Sequence, residues 1–329
     1  METTFSLGTF NHTGLEKNTK AFLDGLQEKV EPPIYTLSPE KARAVLSELQ
    51  ASIPVKKLPA IIENRTIPGG PAGKDVSITI VRPANSNNHT LPVAMYFHGG
   101  GWVLGGFNTH ERLVRELANK ANVVIVFVNY TPSPEARYPV AIEQAYAATK
   151  WVAENARSIN VNSSHLAVVG DSVGGNMVAA VTLLAKERGG PPIKFQVLFY
   201  PVTDASFDTP SYITYQNGYW GTRDLMKWCW SNYLTNQTNV KDPIVCPLQA
   251  SIEQLKGLPP ALIINAENDV LCDEGEAYAL KLLEAGVHVT AVRYPTIHDF
   301  VNLNPITNDP SPRAAIEQAS IMLKNALSD

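Results

Sequence analysis

Charge is scarce in this sequence. Asp, Glu, Lys and Arg make up 18% of its 329 residues, below the rough quarter common in globular proteins. The 27 basic and 31 acidic side chains leave a net charge of −4. Such a chain offers no cationic field to draw nucleic acid or anionic lipid. Cysteine is scarcer still. Cys229, Cys246 and Cys272 show no CxxC spacing and cannot all pair. That excludes a disulfide-stapled scaffold. It leaves three buried thiols in a reducing, cytoplasmic compartment as the expectation, with a Cys229–Cys246 bridge as the alternative. Long apolar runs are missing too. Val123–Val128 stops far short of the ~20 residues that a membrane span needs, so no transmembrane segment is expected. The opening Met1-Glu2-Thr3-Thr4-Phe5 lacks the basic and apolar regions of a signal peptide. There is no internal repeat, and nothing specifies an oligomeric state.

What is present is a large apolar fraction, 44%, enough for a substantial core. Two helices open the chain. Leu15, Phe22, Leu23, Leu26 and Val30 share one face at helical spacing. Ser38 and Pro39 then read as an N-cap and first helical residue ahead of Ala42, Val45, Leu46 and Leu49. Neither helix has a partner nearby, so both should pack onto later segments. From residue 61 short β-branched runs alternate with helical stretches. The expected strands are Ile61–Ile67, Val76–Val81, Val93–Phe97, Val123–Asn129, Leu166–Val169, Phe195–Phe199, Ala261–Asn265 and Val287–Tyr294. The alternation predicts an α/β fold with a mostly parallel eight-stranded sheet and helices on both faces. The first two strands, joined by a short Gly/Pro-rich turn, should pair antiparallel at an edge.

About sixty residues between the strands at 195–199 and 261–265 contain no expected strand. Positions 212–233 carry Tyr212, Tyr215, Tyr219, Trp220, Trp228, Trp230 and Tyr233. These aromatics either form an ordinary helical core or line an apolar substrate pocket.

Two glycine-rich segments carry the chemistry. Gly170-Asp171-Ser172-Val173-Gly174 follows an expected strand and precedes an expected helix. A serine at that junction is pushed out at the top of the sheet, and a side chain in place of either glycine would collide with a neighbouring element. His98-Gly99-Gly100-Gly101-Trp102 also follows a strand. Its glycines leave backbone N–H groups free to face a developing oxyanion. A phosphate cradle is the competing reading, but the loop has neither G-x-x-x-x-G-K-[ST] nor G-x-G-x-x-G. A serine nucleophile needs a base. If the order is serine, acid, histidine, only His288 and His298 lie late enough. His288 falls inside the last expected strand, whereas His298 lies in a loop at the carboxyl edge, where catalytic groups gather. Asp269 sits just past the strand Ala261–Asn265 and suits the orienting acid, with Asp273 and Glu267 as alternates. An unperturbed imidazole titrates near 6.5. A flanking carboxylate raises that and exclusion of water lowers it, so the base should titrate at roughly 6 to 7.

The sequence resembles the hormone-sensitive-lipase group of α/β-hydrolase esterases. The matching pieces are His98-Gly99-Gly100-Gly101-Trp102, Gly170-Asp171-Ser172-Val173-Gly174-Gly175-Asn176, Asp269 with Asp273-Glu274-Gly275, and His298, over roughly residues 90–305. The resemblance implies Ser172 as nucleophile, His298 as base and Asp269 as orienting acid. It implies an oxyanion hole from the N–H groups of Gly100, Gly101 and Val173. It implies a catalytic core of residues 56–204 and 251–329, with cap helices at 1–55 and a cap insertion at 205–250. Trp102, Tyr215, Tyr219 and Trp220 are then candidate substrate contacts. The expected reaction is hydrolysis of short- to medium-chain carboxylic esters of small molecules through an acyl-enzyme, with no metal or organic cofactor. A deacetylase or lactonase would use the same chemistry. A non-catalytic ligand receptor on this fold would have lost its base, and His298 is present. Three departures are visible. Val173 stands where the group usually has alanine. Asn129-Tyr130-Thr131-Pro132-Ser133-Pro134-Glu135 stands where it often reads Asp-Tyr-Arg-Leu-Ala-Pro-Glu. Asp299 follows the histidine where glycine is common, placing a second carboxylate near the base.

Overall fold

The computed structural model describes residues 14–28, 31–86, 89–235 and 237–328. Val30, expected at the end of the first helical face, lies outside them. One eight-stranded sheet organises the described residues, in the order β1-β2-β4-β3-β5-β6-β7-β8. Its strands are β1 (Ala60–Ile67), β2 (Val76–Pro83), β3 (Leu91–Phe97), β4 (Val124–Asn129), β5 (Val161–Asp171), β6 (Phe195–Phe199), β7 (Ala261–Asn268) and β8 (Val289–Ile297). β2 runs antiparallel to β1 and to β4, and every later pair is parallel. The antiparallel edge read from the sequence is therefore observed. The helices are α1 (Lys17–Glu28), α2 (Pro39–Ala51), α3 (Phe107–Ala121), α4 (Val140–Glu154), α5 (Val173–Glu187), α6 (Pro210–Thr214), α7 (Arg223–Tyr233), α8 (Ile252–Leu255), α9 (Cys272–Glu284) and α10 (Pro310–Ala326).

The period-two geometry of a strand sends alternate side chains to opposite faces. Met95, Val126, Val168, Leu198 and Ile263 join one core with residues of α4, α5 and α9. Tyr96, Phe127, Val169, Val197 and Ile264 join the other with α3 and α10. Because both faces are covered, the central strands read as continuous apolar runs. Parallel strands also bring all their carboxyl ends to one edge, where loops can converge.

Only β6 matches the sequence reading at both ends; the other strands shift by one to five residues, and two of these shifts matter most. β5 starts at Val161, five residues early, because Val161 and Asn162 pair with Leu91 and Pro92 ahead of a bulge. Asn162, Ser163 and Ser164 are polar, so the apolar signal began only at Leu166. β8 runs from Val289 to Ile297. His288 thus precedes β8 at the amino end of the sheet, where its carbonyl accepts the Ala261 N–H at 2.9 Å. It is far from the carboxyl edge because of this end placement, and not because it lies within a strand.

The opening helices do pack onto later segments. α1 and α10 cap one another reciprocally. Asp309, which precedes α10, accepts from Asn18 N and Nδ2 and from Thr19 N and Oγ1 at 2.7–3.2 Å. Glu16, which precedes α1, accepts from Ser311 N and Oγ at 2.8 and 2.9 Å. Each carboxylate satisfies free N–H groups and complements the positive end of the other helix. α2 is held by buried Gln50, whose Nε2 donates to the Thr109 and Asn302 carbonyls at 2.7 and 2.9 Å. Arg43 of α2 also reaches the loop that departs from the usual sequence. It binds both oxygens of Glu135 at 2.8 and 2.6 Å and the carbonyls of Ser133 and Val103. Asp309→Ala should remove the α1 clamp. Urea unfolding should show a loss of about 2–3 kcal/mol, and amide exchange should speed up across Lys17–Glu28 before the sheet is affected.

Candidate active site

β5 ends at Asp171 and α5 begins at Val173, so Ser172 alone makes the turn, at φ 54° and ψ −119°. A non-glycine residue held there is strained. The strain is borne by neighbours. Ser172 N donates to the Phe199 carbonyl at 2.9 Å, and the Ser172 carbonyl accepts from Val202 N and Asn176 N at 3.2 Å. The turn also needs a close approach between chain segments. A Cβ at Gly174 would overlap the Phe97 carbonyl, and one at Gly170 would overlap the Gly174 carbonyl. The collision expected from the sequence is thus present at both glycines.

Loops from three strands converge at this turn. His298, following β8, places Nε2 3.0 Å from Ser172 Oγ. Its Nδ1 lies 2.6 Å from Oδ2 of Asp269, which follows β7. Asp269 Oδ1 accepts the Leu271 N–H at 3.0 Å, fixing the carboxylate. Asn268 Nδ2 donates to the Thr296 carbonyl at 3.2 Å and ties the two loops together. The Tyr200 ring packs edge-on against the imidazole, with ring centres 4.9 Å apart. Ser172, Asp269 and His298 are all buried. Burial pulls the His298 pKa down, but Asp269, Asp299 and Asp171 outweigh it and push it up to about 9. The 6 to 7 expected from sequence is therefore too low. Three carboxylates act on the ring where the sequence reading weighed one or two.

Gly100 (φ 100°) and Gly101 (φ 64°) form the loop after β3 and line one cavity with Ser172 and His298. Gly101 also faces Cys229 so closely that a Cβ would strike its sulfur. Val173, the first residue of α5, has a backbone N–H with no intrahelical partner. Behind the loop lies a polar network assembled from separate elements. Asp171, fully buried, accepts from Tyr96 Oη at 2.7 Å and Gly99 N at 3.1 Å, and its Oδ2 lies 3.2 Å from His110 Nε2. Burial opposes its charge, but His110 and Tyr96 hold the carboxyl below the usual carboxylate range. His110 is raised in turn, against its own burial. His98 is pulled down to about 3 by burial and by His110, so it stays neutral. Its Nδ1 lies 2.7 Å from the Gly99 carbonyl, and Tyr130 Oη donates to the His98 carbonyl at 3.0 Å. Asp171 was visible inside the serine motif. His110 sits mid-helix and Tyr96 mid-strand, with no local pattern to mark them.

The cavity over Ser172 has a volume of about 40 Å³, room for little more than one water at about 30 Å³ each. Trp220 lines it, together with Leu225, Met226 and Cys229. The other candidate contacts do not. Trp102 is completely buried, stacked on Tyr233 at 3.9 Å and edge-on to Trp230 at 4.8 Å. It is a core residue with no face to offer a substrate, which corrects the sequence reading. Tyr219 lines a neighbouring depression of about 200 Å³ with Trp220 and Pro33. Tyr215 packs edge-on against Tyr219 at 5.2 Å and borders neither space. Of the seven clustered aromatics, Tyr212, Trp230 and Tyr233 are core. Cys229, Cys246 and Cys272 are free and buried, with no Cys229–Cys246 bridge.

Asp171→Asn keeps the shape of the network and removes its negative charge. An uncompensated His110 should cost about 3–5 kcal/mol in urea unfolding. The Asn oxygen can still accept from Tyr96 and Gly99, so kcat for an ester substrate should change less than stability does.

Residues 94–302 match the family described as alpha/beta hydrolase fold. Similar solved structures include a thermostable esterase from Pseudomonas putida, 51% identical, covering 97% of this chain and 100% of that one at a TM-score of 0.95. Carboxylesterase NlhH of Mycobacterium tuberculosis is 38% identical over 88% of this chain and 89% of its own length. Ethyl acetate hydrolase of Pseudomonas putida is 34% identical over 84% and 87%. The chain belongs to the alpha/beta-hydrolase fold family and is a carboxylic ester hydrolase.

Proposed function

We propose that Ser172, His298 and Asp269 are the nucleophile, base and orienting acid of a serine esterase of the hormone-sensitive-lipase group. One observation carries this reading: the continuous contact from Asp269 Oδ2 through His298 to Ser172 Oγ, at 2.6 and 3.0 Å. Asp269 accepts the Nδ1–H and leaves Nε2 as the acceptor facing the serine. Nε2 takes the hydroxyl proton as Oγ bonds to the ester carbonyl. Negative charge then collects on the carbonyl oxygen, for which Gly100, Gly101 and Val173 offer backbone N–H groups. Collapse of the tetrahedral species expels the alcohol, which takes the proton from Nε2. A water, activated by the same base, releases the acid and restores Ser172.

The substrates are esters of short acyl chains. The small cavity volume and the ethyl acetate hydrolase among its relatives support this preference. Residues 1–55 and 205–250 act as a cap over the core of residues 56–204 and 251–329. In support, Ile34 and Leu46 from the first segment, and Trp220 and Leu225 from the second, line the space above Ser172. The three free buried thiols fit a reducing, cytoplasmic setting.

Ser172→Ala should fold normally and lose on the order of 10⁴-fold or more in kcat, keeping some rate above water through the remaining donors. His298→Ala should be similarly impaired and His288→Ala unaffected. The opposite result for the two histidines removes the assignment. The base works only when neutral, and its pKa is raised. Wild-type kcat/KM should therefore fall as pH drops through one ionisation near 9, and His298→Ala should lack that limb. Trp220→Ala should raise the medium-to-short ester ratio of kcat/KM by about tenfold. An unchanged ratio with a lowered melting temperature would make Trp220 a packing residue only.

A further inference from the structure

The residue after the base is held in an uncommon conformation. Asp299 has φ 61°, in the left-handed region that Asp tolerates better than most side chains. Its carbonyl accepts from Asn302 N and Leu303 N at 2.8 and 2.9 Å, which locks the turn. The conformation folds its carboxylate back over the site. Oδ2 accepts the Trp220 indole N–H at 2.8 Å. Oδ1 lies 3.5 Å from His298 Nε2, is buried, and has no hydrogen-bond partner. Nε2 therefore faces two oxygens, the Ser172 hydroxyl and this carboxylate, while Nδ1 faces Asp269.

At rest the imidazole is not hydrogen-bonded to Oδ1. During attack the proton of Ser172 arrives on Nε2, and the ring becomes a cation inside a buried pocket. A carboxylate at that distance then attracts it strongly, since little water intervenes. We propose that Asp299 is a positioning residue for the base, a second counter-charge that Trp220 holds on the Nε2 side of the His298 imidazolium. The proposal rests on His298 being the base.

Two consequences have opposite signs. The second carboxylate steadies the imidazolium in the transition state, which raises kcat. It also keeps the resting ring protonated to higher pH, which withholds the base on the acid side. The other charges acting on the ring are Asp269 from the β7–α9 loop and Asp171 at the end of β5, the latter paired with His110 of α3. Tyr200 presents a neutral ring. Cys229 of α7 is neutral as well, its thiol pushed up to about 12 by burial and by Asp299. Asp299 itself is raised by burial, and the imidazolium and the Trp220 N–H oppose that rise.

The test is the pH profile of Asp299→Asn, which keeps an oxygen for Trp220 and removes the charge. The acid limb of kcat/KM should move down by about one pH unit, and plateau kcat should fall by about tenfold. The variant should then hold a larger share of its own maximum at pH 7 than the wild type does. Lost packing alone lowers the plateau and leaves the limb in place. A limb that is unmoved, or moved upward, overturns the proposal. Trp220→Phe is a second variant in case the first folds poorly. It keeps a ring and removes the N–H that pins the carboxylate, so the limb should shift the same way by less. No shift there counts against the proposal as well. Failure of the underlying reading looks different: the wild type would show no single acid limb, or His298→Ala would retain it.

Discussion

The site depends on a single constraint, the one-residue turn from β5 to α5. Ser172 is forced to positive φ because the strand ends at Asp171 and the helix starts at Val173. That geometry survives only if α5 lies so close to β3 that no Cβ fits at Gly174. The same closeness brings the end of β3, and so the Gly99–Gly101 loop, beside the serine. The turn strains one residue and positions two loops. Strain of this kind persists where the surroundings over-determine it, and here bonds from β6 and its following loop do so.

The electrostatic character of the site follows from what is buried around that turn. Asp171, Asp269 and Asp299 are brought together from the end of β5 and from two loops, against two histidines that can carry charge. Asp171 pairs with His110 and anchors the Gly99 N–H. Asp269 and Asp299 flank opposite nitrogens of His298. A buried carboxylate without a partner is costly. Each of these therefore directs its charge at a specific donor or ring. The outcome is a histidine whose burial is outweighed by its neighbours.

The segments over the sheet are attached by side-chain clamps as well as by apolar contact. Arg43, Gln50 and Asp309 each join residues far apart in sequence. Trp220 adds a clamp inside the cavity through Asp299. The walls of the pocket are thereby tied to the loop that carries the histidine.

Local chemistry made much of this protein legible from its sequence. Continuous β-branched runs alternating with amphipathic stretches specify a parallel sheet covered on both faces. Gly170-Asp171-Ser172-Val173-Gly174 specifies a tight turn because few other residues fit such an approach. His298 and Asp269 were readable because each follows an apolar strand-like run, although the strands continue to Asn268 and Ile297. Polar strand extensions were not readable, and Asn162–Ser164 hid the start of β5. Trp102 resembles a pocket residue beside a glycine loop, yet its neighbours Tyr233 and Trp230 arrive from far along the chain and enclose it. The raised pKa of His298, the Asp171–His110–Tyr96 network and the grip of Trp220 on Asp299 were likewise decided by tertiary structure. Each is set by distances between residues on different elements, and the balance of burial against charge exists only once the chain has closed around them.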